Sequence, residues 1–251
     1  MSNYPVLDPA HPIPALGHLC ALAVMAKAPR VGKVKTRLSP PLTLDESAAL
    51  NIQFLRDTTE NIANVAGGAG LISYTPVGDE GLFDGLLPET FALVPQRGDG
   101  FGERLLAAAE DILAIGYGAV CLIDSDSPTV PVAAYEQAVE ALRRPGDRVI
   151  LGPSDDGGYY LIGMKRAHRE PFERITWSTG SVLEETLERC AAAGLEVVLL
   201  PTWYDVDHAT TLAVLKTELF EARAPEFATM KGYEAPHTRR FLEAMMAAQA
   251  K

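Results

Sequence analysis

Long apolar runs are missing from this chain of 251 residues, and no stretch approaches the roughly 18 residues that a membrane-spanning helix needs. Cysteine is scarce. Cys20, Cys121 and Cys190 lie far apart and show no metal-binding spacing. That excludes a disulfide scaffold and a zinc ribbon, and it leaves buried thiols in a reducing compartment as the expectation. Positive charge is in deficit too: 22 Lys and Arg stand against 33 Asp and Glu, a net charge of −11, which argues against nonspecific nucleic-acid binding. It does not argue against a phosphorylated small molecule, which needs only a local basic pocket. A basic N-terminal region followed by an apolar run is absent as well, so a cytoplasmic location is expected.

What is present is an alternation of strand-like and helix-like segments. Residues 1–18 hold prolines, glycines, His11 and His18 without apolar period and read as an irregular arm. Leu19 to Met25 is wholly apolar, as a buried first strand of a parallel sheet should be. Thr43 is positioned to cap a helix over 45–65, in which Leu50, Phe54, Leu55, Ile62 and Val65 fall at helical spacing. Further strands are expected at 71–75, 91–95, 120–123, 148–151 and 195–200, and further helices at 101–115, 132–142 and 181–193. A helix carrying Leu212, Leu215 and Leu219 follows Asp207, and a terminal helix begins near Pro236. The pattern predicts an α/β fold with a mostly parallel central sheet flanked by helices over residues 19–220, and a helical extension over 221–251.

The chemistry-bearing residues sit where strands end. Val120 to Ile123 stops abruptly at Asp124, Ser125 and Asp126, and paired carboxylates at a strand's carboxyl end suit Mg²⁺ or Mn²⁺, which prefer oxygen ligands. The alternative is an Asp/Ser turn leading into the next helix. After the first strand, Lys27, Arg30, Lys33, Lys35 and Arg37 place five cations in eleven positions with no acid among them, a phosphate clamp in kind. It is not a Walker A loop, because Val34 follows Gly32-Lys33 where Ser or Thr is required. Gly98 and Arg104 belong to a glycine-rich loop that opens a helix. A second acidic turn, Ser154-Asp155-Asp156-Gly157-Gly158, reads either as a hairpin turn or as a pair of carboxylates facing a hydroxylated substrate or a proton to be moved. In a third acidic element, Asp205-Val206-Asp207, Asp207 either caps the next helix or supplies another carboxylate to the cation. Three acidic strand ends and one basic loop, spread over a strand and helix alternation, imply a common edge of one sheet.

Met25 to Leu38, Asp126-Ser127-Pro128, Gly152 to Gly163 and Asp205-Val206-Asp207 occur in an order that resembles a bacterial DUF2064-type family of GT-A-like glycosyltransferases, and Gly98 with Gly102-Glu103-Arg104 is similar to that family's middle loop. The likeness covers about 19–220. It implies a GT-A-like, Rossmann-like nucleotide-diphospho-sugar transferase domain there. The Lys-Thr-Arg-Leu segment is also similar to 2-phospholactate guanylyltransferases. In the family pattern a glycine stands where this chain has Asp124, so Asp126 is the more secure acid.

Together these readings describe a metal-assisted glycosyltransferase using a nucleotide diphosphate sugar. Its expected metal ligands are Asp126, Asp124 and Asp207, holding Mg²⁺ or Mn²⁺. Lys27, Arg30, Lys35, Arg37, Gly98 and Arg104 would bind nucleotide phosphates, Asp155 and Asp156 would act catalytically, and Gly157, Gly158, Tyr160 and Trp177 would form the substrate loop. The partners are a nucleotide or nucleotide-sugar substrate and an acceptor, with no nucleic acid and no membrane span. The alternatives are a nucleotidyltransferase releasing pyrophosphate from an NTP, and an inactive nucleotide-binding protein.

Overall fold

The computed structural model describes residues 2–249. Seven strands, β1 (Cys20–Lys27), β2 (Gly68–Thr75), β3 (Ala92–Pro95), β4 (Ala119–Ile123), β5 (Arg148–Pro153), β6 (Tyr159–Met164) and β7 (Glu196–Leu199), form one sheet in the order β3-β2-β1-β4-β6-β5-β7. Every pairing is parallel except those of β6, which runs antiparallel to both β4 and β5. The sheet is thus the mostly parallel one expected. Its single reversal is the β5–β6 hairpin, whose turn contains the Asp-Gly step that favours tight reversal.

Helices cover both faces. One core cluster joins Leu50 and Phe54 of α1 (Leu44–Ala63), Ala134 and Tyr135 of α3 (Val132–Arg143), Leu212 and Leu215 of α5 (Ala209–Glu221) and Leu242 of α6 (Pro236–Gln249). The other joins Leu105 to Ile115 of α2 (Phe101–Ile115) with Cys190 of α4 (Val182–Ala192). Because both faces are covered, β1 and β4 are apolar throughout their buried length. Thr43 opens α1 as expected: its hydroxyl accepts from the Glu46 amide at 3.1 Å, and the Glu46 carboxylate accepts from the Thr43 amide at 2.8 Å. At the far end of the chain, the buried Asp57 carboxylate of α1 accepts from the amides of His237 and Thr238 at 3.0 and 2.7 Å, so α6 is capped by a side chain from another helix. The three cysteines are buried and free, with Cys20 and Cys121 sulfurs 3.8 Å apart on neighbouring strands. Among the described residues no helix is long and apolar enough to cross a membrane.

The first residues are better anchored than their composition suggests. Leu93 donates its amide to the Pro5 carbonyl and accepts from Leu7, making Val6 a short parallel partner of β3, and Tyr4 is buried with its hydroxyl 2.6 Å from the Leu87 carbonyl. Strand order reverses direction between β1 and β4, and a crevice opens there beyond their carboxyl ends.

Candidate active-site cleft

Two adjoining cavities occupy this crevice and share Met25, Arg37, Phe101, Ser178 and Asp207 as their common wall. One, of about 490 Å³, collects Lys27, Lys33, Lys35, Arg37 and Arg104 against the acids Asp126 and Asp207. The other, of about 370 Å³, is floored by Leu105, Leu122, Ile123 and Ile162, with Trp177 and Tyr159 in its wall and Asp124 and Asp156 as acids. The edge of a parallel sheet explains both. β1 delivers the basic loop, β4 delivers Asp124 to Asp126, and the β5–β6 turn and the loop before α5 deliver the remaining carboxylates.

Lys35 does not project into the cleft as a free cation. Its side chain is only 3% exposed, and its ammonium lies 2.8 Å from Asp126 Oδ1, 2.7 Å from Asp207 Oδ1 and 2.9 Å from the Val206 carbonyl. Three donors thus meet three acceptors. Burial alone would lower the Lys35 pKa, but the two carboxylates outweigh it and raise it. Burial likewise pushes against ionisation of Asp207, yet Lys35 and Arg37 hold it below the usual carboxylate range. Asp207 is therefore not a helix cap: α5 starts after His208, and the Asp207 and His208 amides are taken by Thr211 Oγ1 instead.

Asp124 is held by its own turn, with Oδ1 accepting from the Asp126 amide at 3.2 Å and Oδ2 from Ser127 Oγ at 2.6 Å. Burial, helped by Asp126, raises its pKa well above the ordinary value, which favours the neutral acid. The donors of Asp126, Asp124 and Asp207 are oxygens, as a hard divalent cation prefers. However, two of the three carboxylates already share one ammonium, and among the described residues no three His, Cys, Asp or Glu side chains come together in a metal-holding group. These residues do not fit a divalent cation resident in the free protein, and no step is assigned to one.

The other expected site residues divide clearly. Lys27, Arg37 and Arg104 line the cationic cavity, whereas the Arg30 guanidinium is paired with Asp79, outside both cavities. Gly98 lies in neither; at φ 103° it fits closely against Glu103, whose carboxylate also takes the Asp99 and Gly100 amides at the start of α2. Asp156 and Gly158 line the apolar cavity, with Asp156 Oδ1 accepting from the Gly158 amide at 2.8 Å. Asp155 is exposed and lines neither cavity. Tyr160 lies in the wall, but its hydroxyl is used on the Pro201 carbonyl at 3.0 Å.

Several lining residues carry no motif-level signal. Asn51 on α1 faces the cationic cavity, nearly fully buried, with Oδ1 unpartnered. Ser178 holds a left-handed backbone, φ 65°, in the loop shared by both cavities. Asp205, marked in the sequence only as part of the Asp205-Val206-Asp207 element, lines neither cavity, yet burial first, and then Asp207, push its pKa up to about 7. A folded pKa above the ordinary value of about 3.9 means that the folded state holds the proton longer, so this group costs stability increasingly as pH rises from about 4 to 7. After discounting for partial exposure, Asp205→Asn is expected to stabilise by about 2 kcal/mol at pH 8 and by little at pH 4. Thermal unfolding of both proteins across that range checks this, and a pH-independent difference would refute it.

Residues 58–179 match a family model described as an uncharacterised protein conserved in bacteria (DUF2064). The sequence matches none of the curated proteins compared with it. Among solved structures, the chain is similar to a candidate nucleotide-diphospho-sugar transferase from Desulfovibrio desulfuricans G20, at 29% identity and a TM-score of 0.75, with 91% of this chain and 95% of that one covered. It shares its fold alone with a CMP:2-keto-3-deoxy-manno-octonic acid synthetase complexed with CTP, at 13% identity and a TM-score of 0.52 over 82% of this chain and 100% of that one. A 4-diphosphocytidyl-2C-methyl-D-erythritol synthase likewise shares the fold, at 7% identity and a TM-score of 0.52 over 79% and 97%. Residues 58–179 are thus similar to the DUF2064 family model, and the chain as a whole has a fold like that of the Desulfovibrio protein.

Proposed function

We propose that this chain is a glycosyltransferase that takes a sugar from a nucleotide diphosphate and passes it to an acceptor bound beside it. The observation that carries this reading is the division of one crevice into a cationic cavity and an acid-edged cavity with an apolar floor, the two sharing a common wall. A diphosphate needs the first, since charge-assisted hydrogen bonds to phosphate are strong where several cations converge. A sugar attached to it would reach the common wall at Arg37 and Asp207. There an acceptor oxygen attacks the anomeric carbon, the bond from that carbon to the diphosphate oxygen breaks, and its electron pair leaves with the nucleoside diphosphate. Lys27, Arg37 and Arg104 meet the charge that develops on the leaving group. The acceptor's proton passes to the Asp156 carboxylate, whose Oδ1 is fixed by the Gly158 amide. The likeness to the Desulfovibrio protein supports nucleotide-sugar chemistry, and the buried free thiols suit the cytoplasm.

The test is product analysis with nucleotide sugars selected by thermal shift. Release of free nucleoside diphosphate upholds the reading. Release of pyrophosphate from an NTP in the presence of a sugar phosphate or phospho-acid would replace it with nucleotidyl transfer. Nucleotide binding without either product would leave a binding protein. A narrower expectation concerns the clamp: Lys27→Ala and Arg104→Ala should each weaken nucleotide binding roughly tenfold, because a charged hydrogen bond contributes about 1.5 to 3 kcal/mol. Both residues are at least partly exposed, so the fold should survive. Calorimetry giving unchanged affinity in both variants would move the phosphates elsewhere.

A further inference from the structure

We infer that the second cavity binds an uncharged alcohol with an apolar, aromatic-sized body, and that it rejects phosphorylated or carboxylated acceptors. This rests on the reading above and names the acceptor class that reading leaves open.

Charge is sorted between the two cavities. The first presents five cations against two acids. In the second, Arg37 is the sole Lys or Arg among the lining residues, while Asp124, Asp156 and Asp207 all contribute. Arg37 belongs to the shared wall, is 63% exposed, and points an Nη1 to Asp207 Oδ2 at 3.4 Å, so an anion in the second cavity would find no lysine or arginine of its own and only the His208 imidazole beside three carboxylates. It would meet the like charges of Asp156 and Asp207 above an apolar floor, where an unpaired charge is poorly tolerated.

The walls themselves favour a flat apolar body. Leu105, Leu122 and Ile162 are nearly fully buried beneath the cavity. Above them Phe101, half exposed on the first turn of α2, meets Trp177 edge to face at 5.1 Å, and Trp177 meets Tyr159 in the same way at 6.5 Å. Edge-to-face packing is also the arrangement in which a further aromatic or CH-rich body adds to such a cluster. A volume of about 370 Å³ accommodates a two-ring alcohol, and Asp156 at the rim supplies the acceptor for its hydroxyl proton.

The probes are 2-(2-naphthyl)ethanol, its phosphate monoester and glucose, titrated by ligand-observed NMR with inorganic pyrophosphate saturating the cationic cavity. The neutral alcohol should bind at least tenfold more tightly than its phosphate ester and than glucose. Phe101→Ala, at an exposed rim position, should weaken the alcohol severalfold, and Asp156→Asn should narrow the gap between alcohol and ester. Equal or tighter binding of the ester would overturn the inference. So would a preference for glucose, or alcohol binding that Phe101→Ala leaves unchanged. Calorimetry of pyrophosphate alone separates the two levels: if pyrophosphate fails to bind, or binds equally well to Lys27→Ala, the proposed function is what fails. If pyrophosphate binds in a Lys27-dependent way and the ester still wins, only the acceptor class is wrong.

Discussion

Lys35→Met is expected to lower the melting temperature by about 10 °C and, unlike the parent protein, to recover most of that loss when Mn²⁺ is added. Methionine keeps the apolar stem beside Phe54 but removes the ammonium that joins Asp126 and Asp207. Breaking a buried ion pair by deleting one partner costs about 3 to 5 kcal/mol, because the other charge is left unpaired. In a domain of this size each kcal/mol moves the melting point by about 2 to 4 °C. The two freed carboxylates and the Val206 carbonyl then form an oxygen set open to a hard cation, which stabilises by mass action in proportion to its affinity. In the parent protein the same oxygens are occupied by Lys35, so Mn²⁺ should shift its unfolding little. The measurement is thermal unfolding of both proteins with Mn²⁺ and with EDTA. If the parent protein gains as much from Mn²⁺ as the variant, Lys35 yields its place readily and the carboxylates are a metal site after all.

That Lys35 differs from its four cationic neighbours could not be read from the sequence. Lys27, Arg30, Lys33, Lys35 and Arg37 form one stretch with one sign of charge, and the acids that Arg30, Lys35 and Arg37 meet come from segments 49 to 172 residues away, as with Asp79 for Arg30 and Asp207 for Lys35. Local composition places a clamp at the strand end. Only the crossover of β4 and the approach of the loop before α5 decide which ammonium is buried. The same holds for Asp207, whose position before a helix suits a cap, but whose carboxylate finds a buried cation, a stronger partner than a backbone amide.

The strands were legible because a sheet covered on both faces needs continuous apolar runs, and β1, β4 and β5 carry them. The antiparallel β6 was not among the expected strands, although the hairpin reading of the Asp-Gly turn before it was one of the two left open. The pairing of Val6 with β3 was hidden, since a single bridge with its two hydrogen bonds imposes no period on the side chains. The capping of α6 by Asp57 was equally hidden, because the two partners are 181 positions apart. In the site, the acidic turns stood out as motifs, while Phe101, Asn51 and Ser178 did not: each is an ordinary residue whose place in the cleft depends on how helices and loops meet.

Gly157→Ala should reduce turnover at least tenfold, and stability by about 3 kcal/mol, while leaving pyrophosphate binding intact. Two independent constraints fall on this position. Its backbone is left-handed, φ 90°, where a Cβ costs about 1 to 2 kcal/mol. A Cβ built there would also lie 2.1 Å from the Gly180 carbonyl oxygen and 2.7 Å from its carbon, so backbone must move. That contact is where the β5–β6 turn meets the loop carrying Trp177, Ser178 and Thr179, and the Leu183 amide donates to the Gly157 carbonyl across the same junction at 2.8 Å. Separating the two loops displaces Asp156 from one wall of the apolar cavity and Trp177 from another, whereas Lys27, Lys33 and Arg104 belong to other elements. Misplacing groups that orient reactants by even 1 Å can cost about a hundredfold in rate, which makes tenfold a modest expectation. Gly158→Ala is the control for stability: its φ is not left-handed, and a Cβ there would meet only the Asp156 carboxylate, at 3.1 Å or more, so its unfolding should change little even where the nudge to Asp156 affects turnover. Thermal unfolding, pyrophosphate calorimetry and product formation measured on both variants decide the matter, and a Gly157→Ala protein that loses pyrophosphate binding together with turnover would mean that the two cavities do not respond separately.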